Sequence, residues 1–335
     1  VTCVDSINNS DGTSEVCTDS VYGEVTNGSS TYTHPAFTFG DTELTGFWFA
    51  KFENGEYGSN IIIKPDTWAM TRYNISTFFE KSRSMELVDN IYGFSSTATL
   101  YNATGELTGD TNNFDTHMAK NMEWGAIAYL TQSRYGRCTD GVCNEIYLNN
   151  SSGYYTGRSG GSTSASATTY GTYSYDDYLI SDNNEKATKE IGMGTTASTT
   201  GNIYGIYDMS GGAYDYVMGN VANGNGFNPL SAGDVWNTVT PLEKYYDIYT
   251  IGMSYGFSED YKRGKLGDAT KEILNSVGIV SSWYDGWSLM PEYFTMPWFS
   301  RGSNNVSASI FSYSRSNGSA SDYSSRIVLA TLINN

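Results

Sequence analysis

The stretch that decides the fold of this chain is Gly201-Asn202-Ile203-Tyr204-Gly205-Ile206-Tyr207-Asp208-Met209-Ser210-Gly211-Gly212-Ala213-Tyr214-Asp215-Tyr216. Glycine, aromatic and aspartate positions are concentrated within these sixteen residues. A concentration of this kind is typical of a family signature, and no other motif in the chain is as specific. It indicates a fold and leaves the activity open.

The segment resembles the pattern N-x-x-G-[LI]-[YW]-D-M-x-G-N-[VA]-[WY]-[DE]-[WY], which marks the formylglycine-generating-enzyme-like branch of the C-type lectin fold. The chain departs from the pattern at Gly212, where asparagine is usual. Weaker anchors are residues 117–130, 298–303 and 325–329. The resemblance spans roughly residues 31–335. It implies an α+β class with the C-type lectin fold, which is loop-rich with short strands and about two main helices.

The enzymes of this family oxidise a substrate cysteine with two cysteines of their own near the C-terminus, which bind copper as thiolates. This chain has no cysteine between Asn144 and Asn335. Without thiolates there is neither a copper site nor a redox couple. We therefore expect a noncatalytic protein that requires no cofactor. A glycan-active enzyme is the weaker alternative, because sequence alone cannot place two carboxylates at a catalytic separation.

The composition of the chain excludes some classes of binding partner. The formal net charge of -17 repels nucleic acid and anionic membranes. No apolar run reaches the about 18 residues of a membrane-spanning helix, so we expect no direct membrane insertion in this segment. Charged residues are 16% of the chain and aromatic residues 15%, including 28 Tyr, which is typical of an exposed recognition surface. The chain begins at Val1, so we expect a removed leader or a larger parent protein.

The four cysteines form two close pairs, and their spacing suits short loops closed by disulfides. We predict the bridges Cys3–Cys17 and Cys138–Cys143. Zinc is disfavoured because neither histidine of the chain lies beside a cysteine pair. Disulfides favour an extracellular location, such as a cell surface, pilus or virion. Residues 1–30 then form a disulfide-stapled N-terminal segment or linker ahead of a lectin-like domain at residues 31–335.

Two helices are predicted within that domain. One begins at a capping box of Thr77 and Glu80 and extends to Tyr92. The other begins near Asp115, with His117 as an ordinary surface or interface residue in its first turn. Ile61–Ile63 and residues 326–330 indicate buried strands. Residues 154–182 are rich in Ser, Thr, Gly and Tyr and indicate a long surface loop.

Calcium is a further expectation that comes from the resemblance. Members of the family often bind structural calcium near the central motif, and carboxylates are the ligands that calcium prefers. Asp208 and Asp215 are the candidate ligands. Gly212 removes one side-chain oxygen from this set, and a helix cap or a turn hydrogen bond is the competing role for both aspartates.

Residues 300–325 have an unusual composition: eleven Ser, three Asn and two Tyr, with no Lys, Glu, Gln, Met or Trp. This resembles the variable repeat of proteins that retroelements diversify at template adenines, and a Ser-rich surface loop is the plainer alternative. Trp298-Phe299 and Ile327-Val328-Leu329 suggest that both ends are held by a core. The candidate ligand-binding residues are Ser303, Asn304, Asn305, Ser307, Ser309, Ser312, Tyr313, Ser314, Asn317, Ser321, Asp322 and Tyr323.

Together these features predict an extracellular adhesin or receptor-binding protein whose partner is a protein or glycan receptor on another cell or particle. Trp283 and Trp287 are candidate neighbouring anchors. The alternative is a structural subunit of a pilus, filament or virion that carries a lectin-like decoration domain. Both roles can coexist in one molecule.

Overall fold

The computed structural model of the chain describes, with side chains, residues 33–93, 99, 102–108, 114–160, 173–175, 194–222, 236, 239–249, 265–270, 272–273, 283, 291, 297–304 and 321–332. It also describes the backbone of residues 193 and 250 and of the strand segments 7–8, 14–15, 18–19, 23–24, 178–180, 186–189 and 309–313. Within this part the chain is a mixed α+β protein, built from short helices and many short strands in small sheets.

The helices are α1 (Ile75–Ser84), α2 (Asn121–Thr131), α3 (Met193–Ala197) and the 3-10 turns η1 (Pro35–Phe37) and η2 (Glu243–Tyr245). The strands are β1 (Ile7–Asn8), β2 (Ser14–Glu15), β3 (Thr18–Asp19), β4 (Gly23–Glu24), β5 (Thr38–Phe39), β6 (Thr42–Glu43), β7 (Phe47–Phe49), β8 (Gly55–Tyr57), β9 (Asn60–Ile62), β10 (Phe114–Met118), β11 (Cys138–Thr139), β12 (Val142–Cys143), β13 (Arg158–Ser159), β14 (Tyr173–Ser174), β15 (Tyr178–Ile180), β16 (Lys186–Lys189), β17 (Tyr214–Ala222), β18 (Asp247–Thr250), β19 (Trp298–Gly302), β20 (Ser309–Tyr313), β21 (Tyr323–Ser325) and β22 (Ile327–Thr331). In the part of the chain so described, no helix is both long enough and apolar enough to span a membrane.

Helix α1 begins earlier and ends earlier than its sequence pattern predicts. Its N-cap is Asn74, whose side chain accepts a hydrogen bond from the Thr77 backbone N–H at 3.0 Å, so the predicted capping box at Thr77 is wrong. The buried side chains include Ile75, Phe78 and Phe79, which share one face of the helix.

The second predicted helix also begins too early. Residues from Phe114 to Met118 are strand β10, which pairs antiparallel with β22, and α2 begins at Asn121. The apolar spacing of this region fits a helix, but the pairing with the closing strand decides its conformation. The predicted closing strand itself is present as β22, between β10 and β7 in a three-stranded sheet.

Strand β17 is the centre of the main five-stranded sheet, and it begins inside the sequence stretch 201–216. Its neighbours are β18, β19 and β21, and β20 follows beyond β19. Tyr216 and Met218 belong to a core cluster with α1, whereas Val217 and Val221 belong to a second cluster with α2. Successive side chains of a strand point to opposite faces, so β17 is covered on both sides and separates the two clusters.

The segment 154–182, predicted to be a surface loop, contributes strands instead. β13, β14 and β15 from this segment join β16 in a four-stranded antiparallel sheet. Thr156, Arg158 and Ser174 are buried there. Their polar groups are satisfied by backbone partners and by charges; for example, Thr156 Oγ1 donates to the Lys64 carbonyl at 2.7 Å. Apolar packing also contributes, because Tyr173 and Tyr175 pack against a buried cluster of Phe52, Ala197 and Tyr207.

Candidate functional site

Residues 300–325 run from the end of β19 through the edge strand β20 to β21, which pairs with the central strand β17. β20 lies last in the strand order, next to β19, with Ser312 opposite Ser300 and Tyr313 opposite Phe299. Ser309 of β20 pairs with Gly302. The candidate binding segment thus contributes strands on both sides of β17, with β19 and β20 on one side and β21 on the other.

Both ends of this segment are buried. At the start, Ser300 and Arg301 are fully buried; the Arg301 Nη1 atom donates to Asn121 Oδ1 at 2.8 Å, and its guanidinium lies 4.2 Å from the centre of the Trp124 ring. At the other end, Ser324 and Ser325 of β21 are fully buried as well. These four residues therefore belong to the scaffold.

Two candidate ligand contacts are buried, contrary to expectation. Ser303 is 4% exposed, directly after β19. Tyr323 is 8% exposed, and its ring stacks on Tyr214 at 4.8 Å and on Tyr216 at 4.6 Å. The cause is the parallel pairing of β21 with β17, which draws Tyr323 into the core. In this structure the Tyr323 ring holds the segment in place.

The remaining candidates fall into three groups. Ser321 is exposed, and Asn304 and Asp322 are partly exposed. Ser309, Ser312 and Tyr313 are placed as backbone positions of β20, whereas Asn305, Ser307, Ser314 and Asn317 lie outside the described residues.

The suggested tryptophan anchors do not extend this surface. Trp283 is fully buried and packs on Trp124 at a ring-centroid distance of 5.9 Å, so it cannot serve as an exposed anchor. Trp287 lies outside the described residues.

Two aromatic residues outside the set of candidate binding residues, Tyr214 and Tyr154, lie near Asp322 at the C-terminal end of the segment. The backbone N–H of Tyr214 donates to the Asp322 carbonyl at 2.7 Å. Burial raises the pKa of Tyr154, and the Asp322 carboxylate raises it further, which places the Tyr154 phenol near Asp322. Next along this loop, Tyr155 contacts the 64% exposed Trp68 at 5.7 Å. No periodicity in the sequence links these residues, because Trp68, the pair Tyr154-Tyr155 and Tyr214 come from three separate parts of the chain.

The central motif places its two aspartates in the protein interior. Asp208 accepts hydrogen bonds from the Gly157 backbone N–H at 2.8 Å and from Asn149 Nδ2 at 2.9 Å. Asp215 Oδ2 accepts from Arg326 Nε at 2.6 Å and from Trp124 Nε1 at 3.1 Å. Both carboxylates therefore tie the motif to distant parts of the chain.

Glu53 makes this a cluster of three buried acids around one guanidinium. Burial, followed by the charges of Asp215 and Asp208, holds the pKa of Glu53 well above its usual range. Burial also raises the pKa of Asp208 to about 6 and raises that of Asp215, against the lowering effect of Arg326. The raised pKa values all favour the neutral forms of these acids, because one buried guanidinium compensates a limited number of negative charges in a low-dielectric interior.

Glu53 also explains why residue 212 is glycine, where the pattern that this segment resembles usually has asparagine. A Cβ atom on Gly212 would lie 3.0 Å from Glu53 Cδ and closer still to Oε1. The backbone N–H of the next residue, Ala213, donates to the same Oε1 at 3.0 Å. Glycine is required here because the carboxyl group of Glu53 occupies the space that a side chain would fill.

Calcium at Asp208 and Asp215 stays a prediction. Among the described residues, no group of three or more His, Cys, Asp or Glu side chains is arranged to hold a metal ion. The oxygen atoms Asp215 Oδ1 and Glu53 Oε2 are buried and have no hydrogen-bond partner among the described residues. In contrast, Asp208 and the Oδ2 atom of Asp215 already accept hydrogen bonds from protein groups.

His117 is buried, which corrects its interpretation as a surface residue. Its Nδ1 lies 2.9 Å from Asp115 Oδ1, and its Nε2 lies 3.1 Å from Glu123 Oε1. Burial alone would lower the pKa of His117, but the two carboxylates outweigh it and raise the pKa, so the imidazolium form is stabilised. Arg83 adds a second cation to the same network at 2.8 Å from Asp115. His117 thus bridges the strand β10 and the helix α2.

The disulfide Cys138–Cys143 is formed and closes the β11–β12 hairpin. The predicted bridge Cys3–Cys17 lies outside the described residues. Neither protein-family models nor curated proteins give a match to this chain.

Proposed function

We propose that this protein is a noncatalytic extracellular binding protein with a C-type lectin fold of the formylglycine-generating-enzyme-like branch. Its binding surface is the part of residues 300–325 between the buried ends, from Asn304 to Asp322, together with the aromatic residues Tyr154, Trp68 and Tyr155. The receptor is a protein or glycan on another cell or particle.

The observation that carries the proposal is the contrast between the buried ends of the segment and the exposed Ser321 that lies between them. Arg301 and Ser325 are fully buried, whereas Ser321 is exposed. A segment held at both ends by a packed scaffold tolerates changes between those ends, and binding residues are commonly placed on such connections. The bias toward Ser, Asn and Tyr adds side chains that supply hydrogen bonds and large amphipathic contacts at low entropic cost.

The noncatalytic part of the proposal rests on the sequence. The cysteine pair that family oxidases use is missing, and Asp208 and Asp215 are engaged by Asn149, Arg326 and Trp124. The extracellular part is supported by the Cys138–Cys143 disulfide, since such bridges persist in oxidising environments.

The test compares a binding variant with a matched surface variant. Asn304, Ser321 and Asp322 are changed to alanine together, and Thr45, Ser59 and Asp89, exposed residues elsewhere on the domain, are changed to alanine as the control. Tyr323 is left unchanged because its loss would disturb the core. Fluorescently labelled protein is applied to a panel of cells and to a glycan array, and retained label is measured.

We expect the first variant to lose at least about tenfold in affinity for any cell or glycan that binds the wild type, because hydrogen bonds to a charged group such as Asp322 contribute about 1.5–3 kcal/mol. The control variant keeps wild-type binding. If the first variant binds as tightly as the control, the proposed surface is wrong.

A further inference from the structure

Asp322 is a partly exposed acidic residue at the C-terminal end of the proposed receptor surface. Its backbone carbonyl accepts the Tyr214 N–H at 2.7 Å, which fixes the position of the residue. Its carboxylate makes neither a hydrogen bond nor an ion pair with any residue that the structure describes. Carboxylates make their strongest hydrogen bonds with cationic donors. Asp322 is therefore open to a cationic group from a partner.

Tyr154 is the aromatic residue beside this carboxylate. Burial raises the pKa of Tyr154, and the charges of Asp322 and Glu53 raise it further. The next group that acts on this phenol is Tyr214, so no cation is among these neighbours. An anionic ligand would meet repulsion at this point, whereas a cationic ligand would be attracted.

Backbone hydrogen bonds connect Tyr154 to β21, the strand that directly follows Asp322. The Asn54 N–H donates to the Ser325 carbonyl at 3.1 Å, and the Asn54 carbonyl accepts the Met70 N–H at 2.5 Å. The preceding residue, Ala69, donates its N–H to the Tyr154 carbonyl at 2.9 Å. These bonds join segments that are distant in sequence, so the backbone of Tyr154 is held in a fixed position relative to β21.

The backbone of Tyr154 has a conformation that a bulky residue rarely adopts. Its φ is +56°, in the left-handed region that favours glycine and asparagine. The turn that contains it is closed by the Tyr154 N–H, which donates to the Ser151 carbonyl at 3.2 Å. Glycine at this position would form the same turn without strain. Strained residues are concentrated at functional sites, so a tyrosine here indicates that its ring is used.

Two arginines of this region already have carboxylate partners. Arg158 Nε lies 2.9 Å from Asp66 Oδ1, and the fully buried Arg326 has its Nε 2.6 Å from Asp215 Oδ2. Neither ion pair includes Asp322. The whole chain has 36 acidic residues against 19 Lys and Arg, so the long-range field also attracts a cationic partner.

We propose that this surface binds an arginine side chain of a protein receptor, with the guanidinium paired to Asp322 and lying against the Tyr154 ring. This inference rests on the proposed function, and it selects a protein receptor in preference to a glycan. A guanidinium is planar and always charged, so it can give a carboxylate two parallel hydrogen bonds and also stack on an aromatic ring. A neutral sugar offers no charge to the Asp322 carboxylate.

The experiment measures binding of the peptide Gly-Arg-Gly, blocked at both ends and labelled with a neutral fluorophore, by fluorescence anisotropy at pH 7.5 and low salt. The control peptide has citrulline in place of arginine, which keeps nearly the same shape and removes the charge. The protein variants are Asp322→Asn, Tyr154→Asn and, as the matched control, Asp89→Asn at an exposed residue elsewhere on the domain. Asparagine adopts a positive φ more readily than tyrosine, so Tyr154→Asn removes the ring without adding strain.

The wild type should bind the arginine peptide with a Kd of about 1 mM or lower, and the citrulline peptide about tenfold more weakly. Asp322→Asn should raise the Kd for the arginine peptide about tenfold, and Tyr154→Asn should raise it several-fold. Asp89→Asn removes the same charge from the whole protein and should change the Kd less than about twofold. The urea midpoint of Tyr154→Asn should not fall, whereas loss of a tyrosine that served only the fold would lower it.

The proposal is overturned if the wild type fails to bind the arginine peptide at millimolar concentration or binds the citrulline peptide equally well. Equal effects of Asp322→Asn and Asp89→Asn would also overturn it, because binding would then come from the general charge of the protein. Retention of the wild type by neutral glycans alone would show that the receptor is a glycan. In each case the receptor surface itself would stand if the Asn304, Ser321 and Asp322 variant still lost cell or glycan binding, so the two proposals fail separately.

Discussion

Replacing Gly212 by alanine places a methyl group against the carboxyl group of Glu53. This substitution lowers the free energy of unfolding for two separate reasons. The backbone of Gly212 has φ of +74°, a conformation that costs a residue with a Cβ about 1–2 kcal/mol. The new Cβ would also lie 3.0 Å from Glu53 Cδ, which forces the buried carboxyl group to move.

Gly58→Ala is the control that measures the first cost, that of the positive φ, by itself. It lies in the turn between β8 and β9 with φ of +63°, and an added Cβ there meets nothing within 4 Å. Gly58→Ala should therefore cost about 1 kcal/mol, after allowance for the reduced entropy of the unfolded chain. Gly212→Ala adds about 1–3 kcal/mol of overpacking and about 1 kcal/mol for weakening the Ala213 N–H to Glu53 hydrogen bond. We expect a total of about 4 kcal/mol.

Urea unfolding followed by far-UV circular dichroism measures both variants, and Glu53→Ala completes a double-mutant cycle. In the Glu53→Ala background the cost of Gly212→Ala should fall to about that of Gly58→Ala, because the obstructing carboxyl group is gone. Equal costs for Gly212→Ala and Gly58→Ala in the wild-type background would refute the explanation of the motif's departure.

Two further predictions concern buried charge and the disulfide. His117→Gln leaves Asp115 and Glu123 without their shared cation and should cost about 3–5 kcal/mol in urea unfolding. Because the folded pKa of His117 is raised, its contribution is fully present below about pH 6.5 and is lost as pH rises through the folded value. Stability of the wild type measured from pH 6 to pH 9 should include this decline, and His117→Gln should lack it; parallel curves would contradict the assignment. Replacing Cys138 and Cys143 by serine should cost about 2 kcal/mol, given the short loop, and an unchanged urea midpoint would show that the bridge adds no stability.

The local sequence predicted several elements well. The closing strand β22 is readable from its apolar run, and the Cys138–Cys143 bridge is readable from spacing. The existence of helix α1 is evident from Phe78 and its apolar neighbours at helical spacing, although its cap at Asn74 is not. Such features depend on neighbours within a few residues, which is the information that a linear pattern contains.

The predictions that the structure contradicts were wrong for one shared reason. The sequence predicts His117 as a surface or interface residue of a helix, yet β10 pairs with β22 from the far end of the chain and buries it between two carboxylates. The sequence predicts a loop over residues 154–182, yet part of this segment forms strands in a four-stranded sheet. In each case a partner distant in sequence supplied the hydrogen bonds that decided the conformation.

By itself the sequence determined the mixed α+β class, the signature at residues 201–216 and the compositional bias of residues 300–325. Only the tertiary structure decided that Tyr323 belongs to the core, that Glu53 fills the space beside Gly212, and that Tyr154 lies near Asp322. Composition and short-range spacing are properties of the chain. Burial and charge pairing depend on which distant segments meet, and the sheet pairings around β17 and β22 establish those contacts.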